Sequence, residues 1–215
     1  LALELKPAAP RASPMTRSNL AAPLPSSRVA EADAGPQMKG TAFKSTLRAI
    51  EQVHGAAGLA SVKAALDPAL REELERILAV SWYPVSLSAQ LHEAVRVVLG
   101  AGSWQVSRKL GQEAAKIDFT GVYRVLLRSV QYDTVFSRLE LSWRNYYSLG
   151  TFTWDHRKPG SSRAVVSGVR GFNLGMWEAC AGRAESLLKL TGAAAADVEL
   201  KETTDSAATF EALWF

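Results

Sequence analysis

Three histidines, a single cysteine and a dense set of aromatic side chains are the residues of this 215-residue chain whose chemistry bears on function. His54, His92 and His156 stand far apart in sequence. None has a second histidine one helical turn away, the spacing that puts two imidazoles on one face for zinc. Cys180 is the lone cysteine, which excludes an internal disulfide, any zinc site built on two or more thiolates, and a four-thiolate iron–sulfur cluster. It sits inside an apolar helical stretch, where cysteine behaves as a small inert hydrophobe, and the chain has no Gly-x-Ser-x-Gly elbow. Neither a Walker loop nor a Gly-x-Gly-x-x-Gly fingerprint occurs; Gly168, Gly171 and Gly175 have the wrong spacing and read as a strand end and a helix start. Two adjacent acid–base pairs remain, His92 with Glu93 and Asp155 with His156. Neighbours in a helix or strand point in different directions, so neither pair makes a site. These residues imply no catalytic residue and no metal.

The aromatic side chains carry a different signal. Trp82, Tyr83, Tyr123, Trp143, Tyr146, Tyr147, Trp154, Phe172 and Trp177 fall at helix ends and where helices pass into alternating segments. The run from Ser142 to Gly150 is denser in them than core packing requires. Tyr and Trp carry a polar tip that wants a partner, and several such tips around an apolar space are how small-molecule pockets are lined. The candidate pocket residues are Trp82, Tyr83, His92, Tyr123, Trp143, Tyr146, Tyr147, Trp154, Trp177 and Cys180. They are expected around a small apolar or aromatic ligand held between a helical half and a sheet.

Hydrophobic periodicity supplies the elements that must position them. Phe43, Leu47, Ile50 and Val53 recur at helical spacing up to Gly55. Asp67-Pro68 then sets a capping side chain before a proline, with Leu70, Leu74, Ile77 and Leu78 as the buried stripe. Ser81-Trp-Tyr-Pro84 interrupts the pattern. Leu87, Leu91, Val95 and Val98 resume it, Ser103 opens a further helix through Val106, Leu110 and Ala114, and Tyr123, Leu126, Leu127 and Val130 carry another. After Leu149 the period changes. Thr151–His156 and Ala164–Val169 alternate around Lys158-Pro-Gly160 and read as a hairpin. A long helix with Leu174, Trp177, Ala181, Leu187 and Leu188 runs from Phe172 to Leu190 and stops at Gly192, and two more alternating runs, 198–203 and 209–215, close the chain. The expected fold is α+β: an N-terminal helical half, then β-β-α-β-β forming an antiparallel four-stranded sheet with helices on one face.

Composition bounds the rest. Hydrophobic residues make up 47% and charged residues 21% of the chain, an ordinary globular balance, and charge interrupts every apolar run before the length of a membrane span. Residues 1–37 hold six of the nine prolines and none of the eighteen aromatics, so they read as a disordered arm, either a linker to another domain or an over-extended gene start with Met38 as the true beginning. The domain is then 38–215. No signal peptide opens the chain, which with the single cysteine points to the cytoplasm. Residues 96–170 hold twelve Lys and Arg against five Asp and Glu, whereas 171–215 hold three against seven. These read as solvated faces of opposite sign, not a nucleic-acid stripe, because no cluster or reading motif accompanies them.

Met38-Lys-Gly-Thr-Ala-Phe43, opening a helix, resembles the start of haem-NO-binding (H-NOX) proteins and of an uncharacterised myxobacterial family. Ser81-Trp-Tyr-Pro84, Lys109-Leu-Gly111, Trp143, Tyr147 and Gly150 are similar to the helical half of those myxobacterial relatives. The C-terminal third resembles the 4-vinyl-reductase type, which closes with a helix ending in Gly, a strand, a Cys-x-x-x-Gly-Asp-x-x-Cys-x-Phe segment and a terminal Trp. Here the frame runs through Leu187–Gly192, Val198–Leu200, Thr204-Asp205, Ala208, Phe210 and Trp214, with Leu200 and Ala208 where the cysteines stand in zinc-binding members. Haem-binding members use a proximal His and a Tyr-x-Ser-x-Arg triplet; the nearest match, Tyr146-x-Ser148, has Gly150 in place of the Arg, and His92 is the candidate imidazole. The resemblance therefore implies a non-catalytic ligand-binding or protein-interaction module in bacterial signalling. It would act as a homodimer or with a signalling partner, without zinc and without a cofactor. A haem-based gas sensor and an enzyme or accessory protein of tetrapyrrole metabolism are the alternatives.

Overall fold

The computed structural model describes residues 35–119 and 132–215. Tyr123, and residues 1–34 of the expected arm, lie outside the described residues; Gln37 opens the first strand. In chain order the elements are β1 (Gln37–Lys39), α1 (Gly40–Ala64), α2 (Pro68–Glu75), β2 (Trp82–Pro84), α3 (Val85–Val98), α4 (Gln105–Asp118), α5 (Tyr132–Tyr146), β3 (Thr151–Lys158), β4 (Ser161–Ser167), α6 (Leu174–Thr191), β5 (Ala196–Thr203) and β6 (Ala207–Trp214).

Local chemistry accounts for several boundaries. The Ala69 amide donates to Asp67 Oδ1 at 2.9 Å, with Pro68 in the first helical turn of α2. Asn173 caps α6 by accepting from the Met176 amide at 3.0 Å. Two expectations change. The first helix does not stop at Gly55: that residue takes φ 73°, a left-handed value glycine adopts freely, and the helix resumes beyond the kink to Ala64. Val53 precedes the kink and is exposed rather than buried. Leu78, assigned to the α2 stripe, is also exposed, because α2 ends at Glu75 and leaves it in the following loop. The break at residues 81–84 is a short strand, β2, paired antiparallel with β1.

The four-stranded sheet has the order β3-β4-β6-β5 and is antiparallel throughout, as the α+β reading expects. Alternation sends Ala164 and Val166 of β4, Phe210, Ala212 and Trp214 of β6 and Val198 of β5 inward, while Arg163, Glu199 and Glu211 stand on the other face. Helix α6 covers the inner face, and α4 packs on α6 more extensively than any other pair of elements. Two glycines permit that approach. A Cβ on Gly111 would lie 2.1 Å from the Ala179 carbonyl oxygen, and one on Gly182 would lie 2.1 Å from that of Arg108. An ionic knot locks the same crossing: Arg108 donates to Glu178 Oε2 at 2.6 Å, to Glu185 Oε1 at 2.5 Å and to the Val198 carbonyl at 2.8 Å.

Candidate functional site

Where the helical half meets the sheet, the three long helices that converge there each present one face to a common space. On α6, Cys180, Arg183 and Leu187 fall at i, i+3 and i+7; on α5, Leu139, Trp143 and Tyr146 fall at i, i+4 and i+7; on α4, Ala115 and Asp118 are three apart. Ala42 of α1, Phe119, Tyr147 and Phe152 of β3 complete the lining. The cavity offers about 160 Å³ of room within about 810 Å³ of space that includes the open solvent at its mouth. Tyr147 lies against the Trp143 ring at a centroid distance of 4.3 Å and against Phe172 at 5.3 Å, so one wall is an aromatic stack.

The polar atoms gather on one side. Arg183 Nη1 donates to Asp118 Oδ2 at 2.7 Å, and Ser45 donates to Asp118 Oδ1 at 2.5 Å. The Tyr147 hydroxyl and the Cys180 thiol are neighbours on the cavity wall and influence one another electrostatically. Burial pushes the Cys180 thiol up to about 11 against the partial opposition of Arg183 and the Tyr147 hydroxyl. Burial also holds the Tyr147 phenol well above its usual value, with Cys180 adding to the effect. Both are therefore neutral hydrogen-bonding groups at neutral pH.

Next to this space is a chamber of about 20 Å³, room for about one water, where His92, Thr46 and Ser88 meet Tyr147, Cys180 and Arg183. His92 Nδ1 lies 3.0 Å from Ser107 Oγ, and burial, then the Arg183 charge, lowers the imidazole to about 4.

The structure brings Trp143, Tyr146, Tyr147 and Cys180 together on the main cavity and sets His92 on the small chamber. It places the other described candidates elsewhere. Trp177 is fully buried, with Nε1 donating to the Thr204 carbonyl at 2.7 Å. Trp154 stacks on Phe136. Tyr83 packs edge-on against Phe43 and accepts from the Leu78 amide at 2.7 Å, while Trp82 lies under the Lys39 ammonium. Arg183 and Leu187 were missed, although helical spacing from Cys180 marks both. Asp118 and Phe119, at the end of a helix, carry no sequence signal. Among the described residues no three His, Cys, Asp or Glu gather as a metal site, and no helix is long and apolar enough to cross a membrane.

Together these features define an α+β domain with an apolar, partly polar-rimmed cavity at the junction of its two halves. Solved structures share that fold. An Fe(II) unliganded H-NOX protein from K. algicida superposes with a TM-score of 0.62 at 14% identity, over 83% of this chain and 97% of that one. An oxygen-binding H-NOX domain related to soluble guanylate cyclases gives 0.54 at 15% identity, over 82% and 95%. A protein solved in work on modulating haem redox potential through porphyrin distortion gives 0.55 at 15% identity, over 83% and 100%. No family model matches the chain, and no curated protein matches it. At these identities the likeness is one of fold. The expectation that such a domain carries no cofactor is nevertheless overturned, because these neighbours are described by their haem, their iron and the oxygen they bind.

Proposed function

We propose that this chain is a non-catalytic sensing domain of cytoplasmic signalling, in which haem held at the junction cavity takes up a small gas ligand and alters a dimer or partner surface. The observation that carries the reading is the cavity itself, an aromatic and aliphatic slot rimmed by Tyr146, Tyr147, Cys180 and Arg183, in a fold similar to H-NOX domains. The side chains fit haem in part: the aromatic slot suits a planar macrocycle and the Arg183 guanidinium pairs with carboxylates, whereas the Tyr147 phenol and the Cys180 thiol hold iron only as anions, a form that burial disfavours here. No histidine faces the cavity among the described residues. When bound, haem would supply the iron centre for the gas. The chain's own contributions are to exclude water with Trp143, Phe152 and Leu187 and to offer hydrogen bonds from Tyr147 and Cys180. Kinship with the vinyl-reductase type belongs to the same proposal, since Leu200 and Ala208 replace its cysteines and leave ligand binding as the shared property.

One observation favours a second reading. The cavity volume, about 160 Å³, compares with the engineered cavity of about 150 Å³ that binds benzene. A single aromatic ring is therefore of the size this space takes. Hemin titration of the purified protein tests the first reading: a saturable shift of the Soret band away from that of free hemin is expected, and an unshifted band overturns it. Native mass spectrometry of protein taken from expressing cells separates the two readings by the mass retained and reports whether the chain dimerises.

A further inference from the structure

The charge asymmetry of the chain converges on one surface, the outer face of the four-stranded sheet. Strands β3 and β4 belong to the basic segment 96–170 and β5 and β6 to the acidic segment 171–215, and the order β3-β4-β6-β5 sets the two pairs side by side. Direct cross-strand partners share a face, so the register reads this surface row by row. One row runs Asp155, Arg163, Glu211, Glu199, and the next runs Lys158, Ser161, Leu213, Asp197. Lys158 joins the outer face through the register shift after His156. The Lys201 ammonium reaches the same face, 2.5 Å from Glu199 and 3.7 Å from Glu211. On the interior strand β6 Leu213 is 54% exposed, and Phe215, just past the end of that strand, is 85% exposed. An apolar pair near the middle of a sheet face, between flanks of opposite charge, has the make-up of an interface with an apolar core and a charged rim.

We infer that the outer sheet face is a homodimer interface, closed by a second copy of this chain about a two-fold axis that runs between the copies, parallel to the strands and over the β4–β6 midline. Such an interface serves the signalling reading above as its dimer surface and is independent of what fills the cavity. The axis carries β4 over the second copy's β6 and β3 over its β5. Arg163 of each copy then faces Glu211 of the other, and Lys158 faces Asp197, each contact occurring twice by symmetry. Aligned sheets pack about 10 Å apart, a gap that a long cationic side chain and a carboxylate span together. Asp155 falls opposite Glu199, whose charge Lys201 offsets within its own chain. A two-fold perpendicular to the strands would instead set basic strands on basic and acidic on acidic, and a partner of one charge sign would meet repulsion on one half of the face. Four strands with seven residue rows between β4 and β6 make the face roughly 19 by 24 Å, about 900 Å² over both copies, the size of a weak and reversible interface.

Sedimentation equilibrium of the full chain tests this, over roughly 5–500 μM so as to bracket weak dissociation constants. The wild-type chain should pass from monomer to dimer over that range, and should associate less at about 0.5 M salt than at about 0.05 M, where charges are screened less. Arg163→Glu and Glu211→Arg each oppose like charges at both symmetry-related contacts and should weaken association at least ~10-fold. An equimolar mixture of the two variants should associate as the wild type does, because the mixed pair restores opposite charges at both contacts. Arg163 and Glu211 are also cross-strand neighbours within one sheet. Mixing two chains cannot repair a defect confined to one of them, so rescue separates an interface from a fault in the fold. Lys158→Glu and Asp197→Lys form a second complementary pair at exposed positions and decide the matter should either of the first variants fail to fold. A wild-type chain that stays monomeric throughout overturns the inference. A dimer that the charge reversals leave intact lies on another face and overturns it as well. Variants that lose the dimer and remain monomeric when mixed overturn the two-fold pairing.

Discussion

Replacing Arg108 by methionine should be among the most damaging single changes available in this domain. Its side chain is 15% exposed and stands between Glu178 at 11% and Glu185 at 6%. Methionine keeps the aliphatic volume and removes the cation, leaving two carboxylates facing one another across the α4–α6 crossing. Gln112 still donates to Glu185 Oε2 at 2.6 Å and the Val198 amide to Oε1 at 3.3 Å, but the Val198 carbonyl loses its donor. Breaking a buried ion pair from one side costs about 3–5 kcal/mol, because the remaining charge is uncompensated. For a domain of this size that corresponds to a fall in Tm of about 10 °C. Urea unfolding followed by far-ultraviolet circular dichroism measures the loss. The reasoning further requires that Arg108→Met combined with Glu178→Gln and Glu185→Gln recover at least half of it, since the cost is residual charge and not lost packing. A single variant costing less than about 1 kcal/mol, or a triple variant no more stable than the single, would refute it.

Three further outcomes follow from the same geometry. His92 titrates near 4 when folded and near 6.5 when unfolded, so the unfolded chain alone takes up a proton between those values; stability should fall by about 3 kcal/mol as pH drops from 6.5 to 4, and His92→Gln should flatten that slope in urea titrations. With its thiol raised to about 11, Cys180 should be alkylated by iodoacetamide at pH 8 at least ~100-fold more slowly in the native protein than in urea; equal rates would contradict the raised thiol. Gly182→Ala should destabilise by about 2–3 kcal/mol through contact with the Arg108 backbone, against the stabilisation of up to about 1 kcal/mol that helix propensity alone provides, and urea midpoints decide between them.

Much of the fold is legible in the chain because its signals are local. Asp67-Pro68 starts a helix through a side chain and ring that act within two residues, and alternation in 161–167 and 207–214 marks strands because one sheet face is buried. The density of aromatics between residues 142 and 150 points to the cavity for a similar reason, since Trp143, Tyr146 and Tyr147 are close in sequence and reach it together. Trp177 and Trp154 carry the same polar tips but lie elsewhere, the one donating to a carbonyl and the other with its ring stacked on Phe136, and residue type does not reveal that choice. Arg183 was passed over because a charged residue on a helix ordinarily faces solvent. Its place on the cavity depends on Asp118 arriving from α4, 65 residues earlier.

Element order, the α+β class, the absence of paired thiolates and the aromatic wealth of the junction are legible in the chain because they are properties of nearest neighbours and periodicity. Only the packing of distant elements settles which aromatics line a space, how small that space is, and that Arg183 and Asp118 meet on its rim. Those are consequences of how closely α4 and α6 approach. That distance is set by Gly111 and Gly182 meeting backbone from the opposite helix, a contact between residues far apart in the chain that no local pattern encodes.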